Sequence, residues 1–287
     1  MASLGLAFHE GLWWPLLRDA QDAKEAASEC PGRLPAASAA LLAKRISEGA
    51  VVVVDGFLSS AELAATQRDL ALLAAMPGVL ELNPKALAGD SSVRTDKVCY
   101  LRAQGDIRLE KLERLQLCHR LLRSLAWQLS GGSECEEGPL LVPQWTQLAL
   151  YGGSGTFYSA HVDGFTFPSW YCLTGLYGLY LFLRWGAVRR RAVTAILYLN
   201  TEDWSEEYGG ALCCKAPVAH FAMAGGSTCD SLIAAAPGFE GEGGAPRPRS
   251  EVWPKGGRLV LFDSQVVEHE VCPTWRERWA LTLWISR

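Results

Sequence analysis

The feature that most constrains the fold is a series of short apolar segments in the second half of the chain, each bounded by polar or glycine-rich turns. Such segments, rich in Val, Leu, Thr and aromatic residues, are typical of β-strands. They follow residues 131–138 and read QWTQLALYG, TFYSAHVD, AVTAILYLN, GALCC, GRLVLFD, EHEVCP and WALTLWIS. Helical patterns come first in the chain and many short strands come later. This order predicts a mainly β fold: a double-stranded β-helix (jelly-roll) core with supporting α-helices packed on one side.

The first half of the chain contains a helix–strand–helix pattern followed by a longer helix. The run VVVV at 51–54 predicts a strand, and a turn at Asp55-Gly56 leads into the next helix. Ser59 or Ser60 is expected to cap that helix, with Glu62 in its first turn. Residues 107–129 repeat Leu at helical spacing and predict an amphipathic helix.

Charge and cysteine content exclude several classes of protein. The chain carries 31 acidic and 27 basic side chains, for a net charge of −4, so nucleic acid is not expected as its main partner. Its nine cysteines show no CxxC pair or regular spacing, which favours free, mostly buried thiols in a reducing compartment. The N-terminal sequence MASLGLAFHEGLWW has no basic stretch typical of a signal peptide. We therefore expect an intracellular protein, cytoplasmic, nuclear or both.

One strongly apolar segment, residues 165–188, needs separate consideration. Its sequence is FTFPSWYCLTGLYGLYLFLRWGAV, with Arg184 as the one charged residue. The apolar stretch from Trp170 to Trp185 is shorter than the roughly 20 residues that a membrane-spanning helix needs. A buried or partner-facing segment is favoured, and membrane contact is kept as the alternative.

A short motif late in the chain has the residue types of a metal site. In His161-Val162-Asp163, the first and third side chains would point to the same face of a strand. His269 lies in a second strand-like region. Two imidazoles and one carboxylate on one face of an octahedron form the facial triad of non-haem Fe(II) oxygenases. A structural histidine is the alternative explanation for each imidazole.

A lone arginine near the C-terminus is the second chemical signal. Arg278 begins the apolar strand RWALTLW, where alternation places Ala280, Thr282 and Trp284 on its face. An inward-pointing arginine needs an anionic partner, and a dicarboxylate cosubstrate would supply one. A solvent-facing arginine is the alternative. His220 has no neighbour that would complete a ligand set, and His9 and His119 are interpreted as structural.

Several motifs taken together resemble the 2-oxoglutarate- and Fe(II)-dependent prolyl 4-hydroxylases, and the oxygen-sensing (hypoxia-inducible factor) type more than the collagen enzymes. In chain order they are GAVVVVDGFL (49–58), RTDKVCYL (94–101), YGGSGTFYSAHVD (151–163), AVTAILYLNTEDW (192–204), YGGALCC (208–214) and GRLVLFDSQVVEHEVCPTWRERWALTLW (257–284). The resemblance implies a dioxygenase domain at 39–287 after an N-terminal extension at 1–38. Two segments, near 164–190 and 224–257, are longer than in the family and are interpreted as insertions, the second as a Gly-, Ala- and Pro-rich loop.

The resemblance also implies roles for individual residues. His161, Asp163 and His269 would bind Fe(II), and Arg278 would pair with the distal carboxylate of 2-oxoglutarate. The remaining positions would surround the cosubstrate or belong to a mobile substrate-binding loop. The phenol of Tyr198 would lie near that carboxylate with Thr282 beside it, Tyr151 would line the pocket near the iron, Ile196 and Leu212 would form apolar walls, and Arg94 and Asp96 would belong to the loop. Core packing, or surface ion pairing for the last two, is the alternative.

The implied activity is hydroxylation of a prolyl residue in a protein or peptide, with Fe(II), 2-oxoglutarate and O2 as cofactors and L-ascorbate as reductant. Two other functions remain open. The same chemistry could act on another protein side chain or on a small molecule; the acidic composition disfavours a nucleobase. Alternatively, an inactive jelly-roll scaffold could bind partners through the apolar insertion.

Overall fold

The computed structural model describes residues 20–22, 27–28, 32–82, 93–102, 105–106, 108–130, 140–163, 191–223 and 249–286. The predictions made for His9 and for the segment 164–190 lie outside these residues. In the part of the chain that the structure describes, no helix is both long and apolar enough to cross a membrane.

Three α-helices are described: α1 (Ala36–Ser47), α2 (Ser60–Ala74) and α3 (Glu113–Leu129). Short 3-10 helices lie at Leu109–Lys111 and Glu206–Tyr208. The strands, in chain order, are β1 (Ala20–Asp22), β2 (Val51–Asp55), β3 (Glu81–Leu82), β4 (Lys97–Arg102), β5 (Leu141–Pro143), β6 (Trp145–Tyr151), β7 (Thr156–His161), β8 (Arg191–Tyr198), β9 (Leu212–Cys214), β10 (Val218–Ala222), β11 (Ser250–Val252), β12 (Leu259–Asp263), β13 (His269–Thr274) and β14 (Arg278–Ser286).

The strands form two sheets. The larger has ten strands, with the order β10-β2-β12-β8-β14-β6-β4-β3 along its main path, and β5 pairs with both β14 and β1. The smaller has four strands in the order β11-β9-β13-β7. Most pairings are antiparallel and join strands that are distant in sequence, while β10 and β2 run parallel. The predicted mainly β, jelly-roll class is confirmed.

Two apolar cores lie on opposite faces of the larger sheet. The helices pack on one face, where Val52 and Val54 of β2 and Leu281 of β14 join the helical leucines. The other face meets the smaller sheet, and Val51 and Val53 belong to that second core. Because both faces of β2 are covered, its sequence is a continuous run of valines rather than an alternating pattern. The site described below lies on the side without helices.

Local signals in the first half are also confirmed. Ser59 is the N-cap of α2 and forms a capping box with Glu62. Arg33 forms an ion pair with the same Glu62 carboxylate, which fixes the segment before α1 to the start of α2. The helix predicted at 107–129 is α3, preceded by the 3-10 turn Leu109–Lys111.

Two details differ from the sequence predictions. The segment 224–257, expected to be a loop, contains strand β11, which pairs with β9 at the edge of the smaller sheet; a three-residue edge strand is too short to show periodicity. Helix α1 begins at Ala36 and β1 pairs with β5, so parts of the predicted extension at 1–38 join the described fold.

Candidate metal centre

A concave cavity opens between the two sheets. Its walls come from β6, β8 and β14 of the larger sheet and from β7, β9 and β13 of the smaller. His161, Asp163 and His269 line it together with Arg278. The predicted metal ligands and the predicted anion-binding arginine therefore lie in the same cavity.

The pairing of two strands brings the two histidines together. His161 ends β7 and His269 begins β13, and the two residues are opposite each other in the antiparallel ladder. Their ring centroids are 4.3 Å apart. Asp163 lies just beyond the end of β7 rather than on it, yet its side chain reaches the same cavity.

Hydrogen bonds fix the orientation of both imidazoles. Nδ1 of His161 lies 2.8 Å from the carbonyl oxygen of Ser159, and Nδ1 of His269 lies 3.1 Å from that of Val267. Because a carbonyl oxygen only accepts, each Nδ1 carries the proton and each Nε2 presents a lone pair. The ring of Tyr158 stacks on His161 at 3.8 Å.

Asp163 is held from two sides. Thr194 donates a hydrogen bond to its Oδ2 at 2.8 Å, and Arg191 donates one to its backbone carbonyl at 3.2 Å. Burial opposes ionisation of this carboxyl, but the neighbouring imidazoles of His161 and His269 and the guanidinium of Arg191 hold its pKa well below its usual range. For His269, burial lowers the pKa and outweighs the opposing charge of Asp163. The carboxylate and the neutral imidazole are the forms that bind a metal.

The three side chains fit a divalent metal ion. Nε2 of His161 and of His269 lie 3.6 Å and 3.7 Å from the two carboxylate oxygens of Asp163, and the ligand atoms of the set all lie within 4.8 Å of one another. Ligands at right angles around a metal with bonds of about 2.1 Å are about 3 Å apart. Small side-chain movements would therefore bring all three ligand groups within bonding distance of one metal ion.

Arg278 lies at the same cavity and is 1% exposed. Its Nε donates to the carbonyl of Gly210 at 2.9 Å and one terminal nitrogen donates to the hydroxyl of Tyr198 at 3.2 Å. Its guanidinium also lies 4.8 Å and 4.9 Å from the ring centres of Tyr151 and Tyr198. Among the described residues no carboxylate pairs with it. A buried positive charge therefore faces the cavity, and some of its N–H groups remain available to a ligand.

Gly210 allows the backbone to approach this arginine. Its φ is +73°, and a Cβ at this position would lie 3.1 Å from Cδ of Arg278 and 3.0 Å from the side chain of Thr274. Any larger residue would be strained in conformation and would press on the arginine.

Most of the other predicted pocket residues are brought together. Tyr151, Ile196, Leu212 and Thr282 line the cavity. Tyr198 does not line the cavity. It is fully buried, its hydroxyl accepts the hydrogen bond from Arg278, and burial raises the pKa of its phenol. Their roles toward a cosubstrate remain predictions.

Arg94 and Asp96 are buried rather than exposed. Arg94 is 7% exposed and Asp96 is fully buried, so the surface ion pair considered from the sequence is wrong. Nε of Arg94 donates to Asp96 at 2.6 Å, and its guanidinium lies 4.1 Å above the Tyr158 ring. Arg94 lines the cavity beside His161.

Sequence reasoning missed Gln147, which lines the cavity, and Arg191, which contacts Asp163. Arg191 stacks on the ring of Trp284 at 4.2 Å while it contacts Asp163. Gln147 of β6 donates to the hydroxyl of Tyr100 at 2.8 Å. Alternation along β14 had already placed Trp284 on the face of Arg278, and the same alternation along β6 could have indicated Gln147, which shares a face with Tyr151. No local signal identifies Arg191, whose partners come from other strands.

Comparisons with known proteins agree with this geometry. Residues 146–286 match the family model of the 2OG-Fe(II) oxygenase superfamily. No curated protein gives a significant sequence match.

Three solved structures have similar folds. A prolyl-4-hydroxylase from Pseudomonas putida has a TM-score of 0.56 and 22% identity, covering 87% of this chain and 98% of its own. A prolyl hydroxylase from Trichoplax adhaerens, in complex with a peptide fragment of the hypoxia-inducible factor oxygen degradation domain, has a TM-score of 0.55 and 19% identity, covering 87% and 89%. The epimerase SnoN, in complex with Fe3+, alpha-ketoglutarate and nogalamycin RO, has a TM-score of 0.52 and 18% identity, covering 88% and 84%. At these identities the likeness establishes the fold alone.

Proposed function

Because residues 146–286 of this chain match the family model of the 2OG-Fe(II) oxygenase superfamily, we propose that the protein hydroxylates a prolyl residue of a protein or peptide, using Fe(II), 2-oxoglutarate and O2. The observation that carries this proposal is the convergence of His161, Asp163 and His269 with the buried Arg278 in one cavity. A scaffold without activity would have no use for a buried, unneutralised arginine beside three metal-ligand residues. In the net reaction, 2-oxoglutarate and O2 give succinate and CO2, and one oxygen atom enters a substrate C–H bond.

Different residues of the chain would bind Fe(II) and bind 2-oxoglutarate. His161, Asp163 and His269 would hold Fe(II) through two imidazole Nε2 atoms and a carboxylate. The guanidinium of Arg278 would bind the distal carboxylate of 2-oxoglutarate, and Tyr198 would hold that guanidinium in place. A planar guanidinium matches a carboxylate with two parallel hydrogen bonds.

The apolar walls would keep water from the reacting atoms. Ile196, Leu212, Val271 and Ala280 line the same cavity as Arg278 and the metal ligands. Displacing water from such a site strengthens each electrostatic contact inside it. Arg94, which also lines the cavity, would contact the substrate.

The choice of a prolyl substrate is supported by two of the similar structures, which are prolyl hydroxylases, one of them with a bound peptide. SnoN has a comparable TM-score, so a small-molecule substrate is the second candidate. The fold does not separate the two, and the discriminating measurement is the identity of the oxidised product.

The test is turnover of the full chain with Fe(II), 2-oxoglutarate, ascorbate and a library of proline-containing peptides in air. We expect succinate formation together with a mass gain of one oxygen atom located at a proline, and loss of both in His161→Ala. His220→Ala is the matched control, because His220 lies outside the set formed by His161, Asp163 and His269. Succinate formation without any oxidised peptide would refute the prolyl assignment, and absence of 2-oxoglutarate binding would refute the oxygenase activity.

A further inference from the structure

A pair of cysteines lies on the opposite side of the smaller sheet from the metal centre. Cys213 is on β9 and Cys272 is on β13, and their sulfur atoms are 2.6 Å apart. Both are free thiols. Their strand neighbours Leu212 and Val271 line the cavity, so alternation directs the two cysteines away from it.

Strand pairing fixes this contact. Glu270 is directly opposite Cys213 in the β9–β13 ladder, and Cys272 follows two residues later on the same face. A backbone hydrogen bond from Cys272 to Ala211 continues the ladder past the pair. The two thiols are therefore held together by the sheet, although they are 59 residues apart in sequence.

The charges around the pair favour a thiolate. The exposed guanidinium of Arg249 forms an ion pair with Glu270 and lies 3.9 Å from Sγ of Cys272. A hydrogen bond from Cys272, with support from Arg249, lowers the pKa of Cys213 to about 7. Thiolates beside a cationic group and next to a second thiol are the common targets of oxidation.

We propose that Cys213 and Cys272 form a reversible redox pair that hydrogen peroxide converts to a disulfide. The thiolate of Cys213 attacks one oxygen of the peroxide, which breaks the O–O bond; the released hydroxide takes up a proton as water and a sulfenic acid remains on Cys213. The sulfur of Cys272 then attacks that sulfur, and the sulfenic hydroxyl leaves with the Cys272 proton as a second water. Two thiols are oxidised and one peroxide is reduced to two waters.

A cation site is the other use that this cluster suggests, since Cys213, Glu270 and Cys272 have metal-ligand atoms within 4.8 Å of one another. The position of Arg249 argues against it, because its guanidinium already pairs with Glu270. A bound cation would have to displace this positive charge, whereas oxidation of the thiols removes no existing ion pair.

The test is oxidation of the full chain with a few equivalents of hydrogen peroxide, with a chelator present so that iron does not react. After alkylation of the remaining thiols, non-reducing peptide mapping should show a Cys213–Cys272 cross-link. The number of alkylated cysteines should fall from nine to seven, and dithiothreitol should restore all of them. Cys213→Ser and Cys272→Ser should each abolish the cross-link, and Cys99→Ser, at a free cysteine of β4, should retain it.

Three outcomes would overturn the proposal. One is sulfinic or sulfonic acid on either cysteine with no cross-link, and another is pairing of either cysteine with a different partner. The third is the absence of a cross-link together with one equivalent of zinc that the wild type binds and both serine variants lose, which would identify a cation site instead. None of these measurements depends on oxygenase activity.

Discussion

Replacement of Arg278 by alanine is the most direct test of the cosubstrate site. The side chain is 1% exposed, packs between the rings of Tyr151 and Tyr198, and has no carboxylate partner among the described residues. The fold itself therefore gains little from this charge. We expect Arg278→Ala to remain folded and to lose affinity for 2-oxoglutarate.

The magnitude follows from the contacts that would be lost. Of the guanidinium donors, Nε bonds to Gly210 and one terminal nitrogen bonds to Tyr198, which leaves donors for a two-point contact with a carboxylate. Removing one partner of a buried charge pair costs about 2–5 kcal/mol. At about 1.4 kcal/mol per tenfold change, the dissociation constant should rise roughly 30-fold to 4,000-fold. Arg278→Lys keeps the charge but loses the planar pair of N–H donors, and should weaken 2-oxoglutarate binding by about tenfold.

The assay is anaerobic titration of the Fe(II)-loaded protein with 2-oxoglutarate, followed by the visible metal-to-ligand charge-transfer band. Arg276→Ala is the matched control, because that exposed arginine lies over the ring of Tyr208 and away from the cavity. Affinity within twofold of the wild type in a folded Arg278→Ala variant would refute the assignment. A loss of equal size in Arg276→Ala would show that the effect is not specific to the site.

Three further predictions concern metal binding and stability. Thr194→Val removes the hydrogen bond to Asp163 and should weaken Fe(II) binding by about 10- to 100-fold in a metal titration, with unchanged circular dichroism. Glu62, whose pKa is lowered from 4.5 to about 2 chiefly by a hydrogen bond from Arg33, stabilises the fold above about pH 4.5 and loses that contribution as the pH falls toward 2. Urea unfolding should show that Glu62→Gln costs roughly 1–2 kcal/mol at pH 7, after discounting for solvent screening, and less at pH 3. Leu281→Ala creates a cavity in the core on the helix side and should cost about 2–5 kcal/mol of unfolding free energy without changing 2-oxoglutarate affinity; no loss of stability would contradict the packing.

The sequence predicted the features that depend on short-range patterns. Alternation along β14 correctly placed Arg278 and Thr282 on the cavity face and Leu281 on the core face. The capping signal at Ser59 and Glu62 was also correct. These patterns are local, because side-chain direction in a strand and hydrogen bonding in a first helical turn depend on neighbours a few residues away.

Features that depend on contacts between distant strands were not predicted. The stacking of Arg191 on Trp284 and the proximity of Cys213 to Cys272 need the register of the sheets, which no segment specifies alone. Strand β11 was missed for the same reason, since its three residues form a strand only by pairing with β9.

The contact between Arg191 and Asp163 explains how the two residues that flank positions 164–190 are held in place. Strand β7 ends at His161 and β8 begins at Arg191, and the guanidinium of Arg191 donates a 3.2 Å hydrogen bond to the backbone carbonyl of Asp163. Thr194 holds the Asp163 carboxylate independently. The ligand geometry therefore depends on the register of β7, β8 and β13 and on the contacts of Arg191 and Thr194 with Asp163.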